Sequence, residues 1–228
     1  MIKNIFISSA AAMLLGFAVA PAQAAPIVFK GDGLNAVPLS NVSQDCGTVG
    51  SDFCTTDPTL GFNYDVSGIA FNATGLANGV ATRLIQDVFP ANSGIAALSE
   101  VDPTRDQTEF DSGESIRFTF ENEVQLTNIE FNSGADQDCS TPGNEGPCGF
   151  FNLIIDGAME GTFEAVDLLT TVFVGQVFEF VAATSGAGFV IAQFDVENVT
   201  EVPLPGSLPL LVSGLAGLAF ARRTRKSP

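Results

Sequence analysis

In SIRFTF, Ile116, Phe118 and Phe120 alternate with Ser115, Arg117 and Thr119. A period of two puts the apolar set on one face of a strand. EVQLTNIEF starts the same way with Val124 and Leu126, then changes parity to Ile129 and Phe131. An extra residue in the strand returns both sets to one face, so the pattern predicts a bulge near Thr127-Asn128. FNLIIDGAMEGTF carries Asp156-Gly157 between apolar flanks, which predicts a hairpin. GIAFNAT, LLTTVFV, QVFEFVA and GFVIAQFDVENV read as further strands, separated by Gly-rich breaks. Many short strands with frequent turns predict a sandwich or a barrel. VATRLIQDVF stays ambiguous, because Val80, Leu84 and Val88 also fit one face of a helix.

The two ends follow other patterns. Lys3, an apolar run from Ile5 to Ala20 and Ala22-Gln23-Ala24 have the order of a secretory signal peptide. Cleavage is expected after Ala24, with Ala25 as the alternative. Near the other end, Leu204 to Ala221 has no charge and is 18 residues long, enough for a transmembrane helix. Arg222, Arg223, Arg225 and Lys226 follow it directly. Positive charge stays on the cytoplasmic side, so the rest of the chain is expected outside the inner membrane. The expected organisation is a signal peptide at 1–24, a β domain at 25–201 and a C-terminal signal at 202–228.

Val202-Pro203-Leu204-Pro205-Gly206, the apolar stretch and the terminal Arg cluster together resemble the PEP-CTERM class of bacterial sorting signals. The closer likeness is to the subgroup whose motif reads Val-Pro-Leu-Pro-Ala; Gly206 stands where that subgroup has Ala. The resemblance covers about 27 residues. It implies that an exosortase, a membrane cysteine transpeptidase, recognises Val202–Pro205 and removes the tail. It also implies a Gram-negative bacterium that makes exopolysaccharide, with the processed protein at the cell surface or in the extracellular matrix. A looser likeness joins GIAALSEVDPTRDQTEFDSGESIRFTFENEVQLTNIEF to the central stretch of many ectodomains of that class, and implies a jelly-roll-like β-sandwich with no known chemistry.

Charge sharpens the division. All 26 acids fall between the two end segments, with four bases, Lys30, Arg83, Arg105 and Arg117; the domain therefore carries −22. Such a surface repels nucleic acid. The tail's cations belong to a topology signal rather than to the working domain.

Four cysteines and no histidine occur. An exported chain with an even number of cysteines is expected to form disulfides. Three connectivities exist; the loop-like residues between Cys46 and Cys54, and between Cys139 and Cys148, favour the two local pairs. The lack of CxxC spacing and of histidine argues against zinc.

Without histidine, Ser-His-Asp and Cys-His catalysis are excluded. No phosphate-loop or dinucleotide pattern occurs. The carboxylate pairs Glu121/Glu123, Glu160/Glu164 and Asp195/Glu197 are what a glycosidase would use, but residues two apart on a strand share one face, commonly the solvent face. The chain is therefore expected to be noncatalytic. The 20 phenylalanines read as core, and the single tyrosine, Tyr64, as a half-buried strand residue rather than a sugar platform. Calcium is the ligand best suited to the acids: VDPTRDQTEFDSGE supplies Asp102, Asp106, Glu109, Asp111 and Glu114, and NSGADQDC supplies Asp136 and Asp138. Neither has EF-hand spacing, and a solvated acidic loop is the simpler reading. The expected role is structural or adhesive; the rival readings are a secreted carbohydrate-active enzyme and a carbohydrate-binding module.

Overall fold

A computed structural model describes residues 24–31, 34–39, 53–55, 60–87, 94–98, 113–133, 137–139, 148–166, 168–183 and 188–199. These form twelve strands and no helix: β1 (Ala25–Val28), β2 (Phe53–Thr55), β3 (Phe62–Val66), β4 (Ile69–Ala77), β5 (Val80–Asp87), β6 (Ile95–Leu98), β7 (Glu114–Ser133), β8 (Gln137–Asp138), β9 (Phe150–Ile155), β10 (Ala158–Glu164), β11 (Phe173–Ala182) and β12 (Phe189–Asn198). The all-β expectation holds.

All the strands belong to one sheet, with the main order β1-β12-β6-β5-β4-β7-β11-β9-β10, and β12 also pairs with β7. The extra pairing closes a hydrogen-bonded circuit through β4, β5, β6, β12 and β7. Closure depends on the length of β7. Its first half pairs with β4, from Phe120↔Phe71 to Glu114↔Ala77. Its second half pairs along β12, from Val124↔Asn198 to Ser133↔Phe189. The two strands foreseen in SIRFTF and EVQLTNIEF are thus one 20-residue strand that changes partner between Phe120 and Val124.

The parity change in EVQLTNIEF is a bulge, as its pattern predicts. Thr127 lies opposite Asp195 and Glu130 opposite Gln193, so three steps on β7 match two on β12. Asn128 sits in the bulge at φ +50° and donates its amide to Asp195 at 2.7 Å. Asn tolerates this left-handed backbone better than most residues do. Asp156-Gly157 makes the predicted hairpin, with φ values of +50° and +83° and Ile155 opposite Ala158. Two successive positive φ angles give a turn whose twist matches the strands it joins.

One ambiguity is resolved and one expectation is corrected. VATRLIQDVF is not helical where described; Val80–Asp87 is strand β5, whose last four residues are all buried. LLTTVFV and QVFEFVA are not two strands. β11 starts at Phe173 and runs through Gly175, and Leu169 contributes only a bridge to Ile129. Gly175 lies inside the strand because a side chain there would meet Ile155 and Asp156.

The phenylalanines form the core. Phe29 touches Tyr64, Phe71, Phe118 and Phe194. Phe118 continues to Phe180, and Phe131 and Phe151 extend the chain of rings to Phe163. Phe29, Phe118, Phe180, Phe131 and Phe151 are fully buried, so truncating any one to Ala should cost about 3–5 kcal/mol.

Candidate functional site

The inward parity of β7 places Phe118 and Phe120 in the core and turns Arg117 and Thr119 outward. Pairing aligns outward residues of successive strands in rows. One row is Asn63, Asn72, Thr119 and Val177; the next is Thr74, Arg117, Glu179, Ile154 and Met159. A groove of about 410 Å³ crosses β7, β11 and β9, lined by Arg117, Thr119, Ile154, Asp156, Val177 and Glu179. A second, of about 380 Å³, shares Thr119 and continues over Asn63, Asn72 and Glu121.

Hydrogen bonds fix the first groove. Arg117 donates to Glu179 Oε2 through Nε at 3.1 Å and Nη2 at 2.7 Å, and Ser115 donates its hydroxyl to Oε1 at 2.9 Å. Both oxygens of Glu179 are engaged. The Arg117 side chain stays 42% exposed against 16% for Glu179, so the planar guanidinium is what the groove presents. Asp156 serves the backbone: its Oδ1 accepts from the amides of Gln176 (3.1 Å) and Val177 (2.9 Å). The floor thus offers a fixed guanidinium, a hydroxyl and apolar strips at Ile154 and Val177. This is chemistry for hydrogen bonding to a neutral polar molecule.

Most of the expected site residues are not among those described. Val202, Pro203, Leu204, Pro205, Arg222, Arg223, Arg225 and Lys226 lie outside the described residues, as do residues 1–23 of the expected signal peptide, Asp102, Asp106, Glu109, Asp111, Asp136 and Cys46. Cys54 lies on β2 opposite Gln86. Cys139 and Cys148 form the expected local disulfide, with Cα atoms 5.4 Å apart. Glu114, proposed as a calcium donor, is instead 3% exposed at the start of β7 and is not a free loop carboxylate. Among the described residues no group of three or more metal-ligating side chains is gathered.

The carboxylate pairs are dispersed. Glu121 and Glu123 are exposed where β7 changes partner, and Glu160 and Glu164 are exposed on β10, at the end of the sheet. Asp195 is held by Asn128. Tyr64 is not half-buried: it is 2% exposed, its ring stacks on Phe71 at 4.8 Å, and its hydroxyl donates to Gln86 Oε1 at 2.9 Å. Burial pushes its phenol well above the ordinary value. It has no surface to offer a sugar. The Arg117–Glu179 groove escaped the sequence reading, although opposite charges at outward positions of SIRFTF and QVFEFVA are a trace of it.

The fold and groove thus define an all-β domain with a polar outer face. No family model, curated protein or solved structure matches the chain.

Proposed function

We propose that this chain is an exported, noncatalytic protein of the cell surface or exopolysaccharide matrix, with a structural or adhesive role. Its β domain would be a jelly-roll-like sandwich, delivered by a signal peptide and released from its tail by an exosortase-type enzyme. The observation that carries this reading is the order of segments: a leader to Ala24, an acidic β domain, Val202-Pro203-Leu204-Pro205, an uncharged stretch to Ala221 and the cluster Arg222–Lys226. Two prolines keep the motif extended and out of the following helix, where a peptidase at the membrane face can grip it.

The test is the C-terminus of the mature protein. Surface material should end near Val202–Pro205 and lack Arg222–Lys226. Changing Pro203 and Pro205 to Ala should leave full-length protein in the inner membrane. Intact C-terminus on wild-type surface protein, in cells with a working exosortase, refutes the sorting reading.

A second reading, a carbohydrate-binding module, is favoured by the groove at Arg117 and Thr119. Retardation of the mature protein in a polysaccharide gel, lost with Arg117→Ala, would support it; migration unaffected by any glycan would remove it.

A further inference from the structure

Strand β1 lies antiparallel to β12, with Ala25 opposite Val196 and Val28 opposite Gln193. The first paired residue after the expected leader is therefore beside almost the last residue of the domain. β12 ends at Asn198, opposite Val124, and the Val199 amide donates to the Glu123 carbonyl at 3.1 Å. The start of β1 and the end of β12 thus lie at one pole of the fold, beside Val124 of β7.

This pairing completes the core. Ile27 and Phe29 are fully buried, and Phe29 packs on rings from β3, β4, β7 and β12. The Phe29 amide donates to Ala192, and Asn35 closes the outer edge of β1 by accepting from the Val28 amide and donating to the Pro26 carbonyl. The first strand to emerge from a translocon must wait for the last before either is buried. When β12 has emerged, the apolar stretch from Leu204 follows within a few residues.

We infer that the domain closes, β1 on β12, while still joined to its tail, and that the sorting motif is cut on a short tether at this shared pole. The inference rests on the sorting reading above. Three peptide steps separate Val199 from Val202, a reach of at most about 10 Å. The cutting enzyme then works within that reach of a folded domain, and the residues between β12 and the motif act by length rather than by identity.

Two variants of the full chain test this in cells with the sorting enzyme. Deleting Thr200 and Glu201 should stop cutting, and replacing them by Gly-Ser should preserve it. Cutting of the deletion variant at the wild-type extent overturns the short tether. For the order of events, Pro26→Cys with Asp195→Cys joins positions that face each other in the β1–β12 register, at a separation a disulfide spans. On a chain that keeps its tail through Pro203→Ala and Pro205→Ala, peptide mapping should find that crosslink. Its absence there but presence on tail-free protein means closure follows cutting, and its absence from both contradicts the pairing; either overturns the inference. If the proline changes fail to retain the tail, the sorting reading fails first and this inference falls with it, a result distinct from the other two.

Discussion

The hydroxyl of Tyr64 on β3 donates to Oε1 of Gln86 on β5 at 2.9 Å, inside the aromatic core. Gln86 in turn donates its amide to the carbonyls of Phe29 at 3.0 Å and Ala36 at 2.9 Å. One fully buried glutamine thereby ties the β1 segment, β3 and β5 together. Buried polar groups are tolerated when their partners are complete. Here the partners explain why a tyrosine and a glutamine stand among phenylalanines.

Tyr64 makes stability sensitive to alkaline pH. Desolvation raises its folded-state pKa well above the ordinary value of 10.0. Above pH 10 the unfolded chain loses this proton while the folded chain keeps it, so stability falls as pH climbs through and beyond 10. The slope is about 1.4 kcal/mol per pH unit until the folded pKa is reached. Tyr64 is the only tyrosine, so phenolate absorbance should appear together with unfolding rather than before it. Tyr64→Phe should flatten this dependence and cost about 1–2 kcal/mol at neutral pH by leaving Gln86 Oε1 without its donor. A phenolate titrating near pH 10 in still-folded protein would contradict the burial.

Gln86→Met keeps the volume and removes three hydrogen bonds at once. The Phe29 and Ala36 carbonyls and the Tyr64 hydroxyl would lose this partner, at a cost of about 3–5 kcal/mol in urea unfolding. A loss below about 1 kcal/mol would mean that the triad is dispensable.

Barrel closure offers two contrasting glycine tests. β6 joins β12 through the single pair Ile95↔Ile191. A Cβ on Gly94 would run into the Ile191 carbonyl and come within 3.0 Å of Val190 Cγ2. Backbone has little room to give, so Gly94→Ala should cost about 2–4 kcal/mol and strain this seam. Gly157 has open space around it but φ +83°, so Gly157→Ala should cost only about 1–2 kcal/mol, from backbone strain alone. Equal costs would place the steric argument at Gly94 in error.

Local pattern revealed the features whose causes are local. The parity break at Thr127-Asn128 exposes the bulge, and Asp156-Gly157 exposes its turn, because each is written within a few residues. β5 was ambiguous for a physical reason. Leu84, Ile85, Gln86 and Asp87 are all buried, and an unbroken buried run has no period to read. Long-range partners hid the rest. Gln86 lies 22 positions from Tyr64 and Glu179 lies 62 from Arg117, so neither the burial of the tyrosine nor the groove is evident in its own segment. The single long β7 is not written in either of its segments, because neither SIRFTF nor EVQLTNIEF includes Glu121-Asn122, where the strand changes partner. Gln176 bridges the change of partner there, donating its amide to the Phe120 and Glu121 carbonyls at 3.1 and 3.2 Å.

The disulfide is expected to matter modestly. Cys139 and Cys148 are nine positions apart, and closing so short a loop restrains the unfolded chain by about 2–3 kcal/mol. Peptide mapping of mature protein should recover the 139–148 pair, and reduction should lower Tm without abolishing the fold. A further Cys46–Cys54 pair is expected from the same digest. Free thiols in exported protein would contradict the oxidising compartment, whereas cross-pairing would contradict only the loop assignment.

Divalent cations separate two accounts of the acidic surface. At −22 the domain repels itself, and any cation that screens this charge should stabilise it. Calcium binding at a specific site asks for several oxygen donors in one place. Glu114 is withdrawn from that role by burial at the start of β7, which weakens the set drawn from the loop around Asp102, Asp106 and Asp111. Calcium and magnesium are therefore expected to raise Tm equally at equal concentration, and chelation should change nothing that added magnesium does not restore. A calcium-specific rise at concentrations where magnesium does little would reverse this conclusion. Asp102→Asn with Asp111→Asn should then abolish the difference, because a site built on those carboxylates cannot survive their loss, whereas screening by a surface with more than twenty other acids barely notices it.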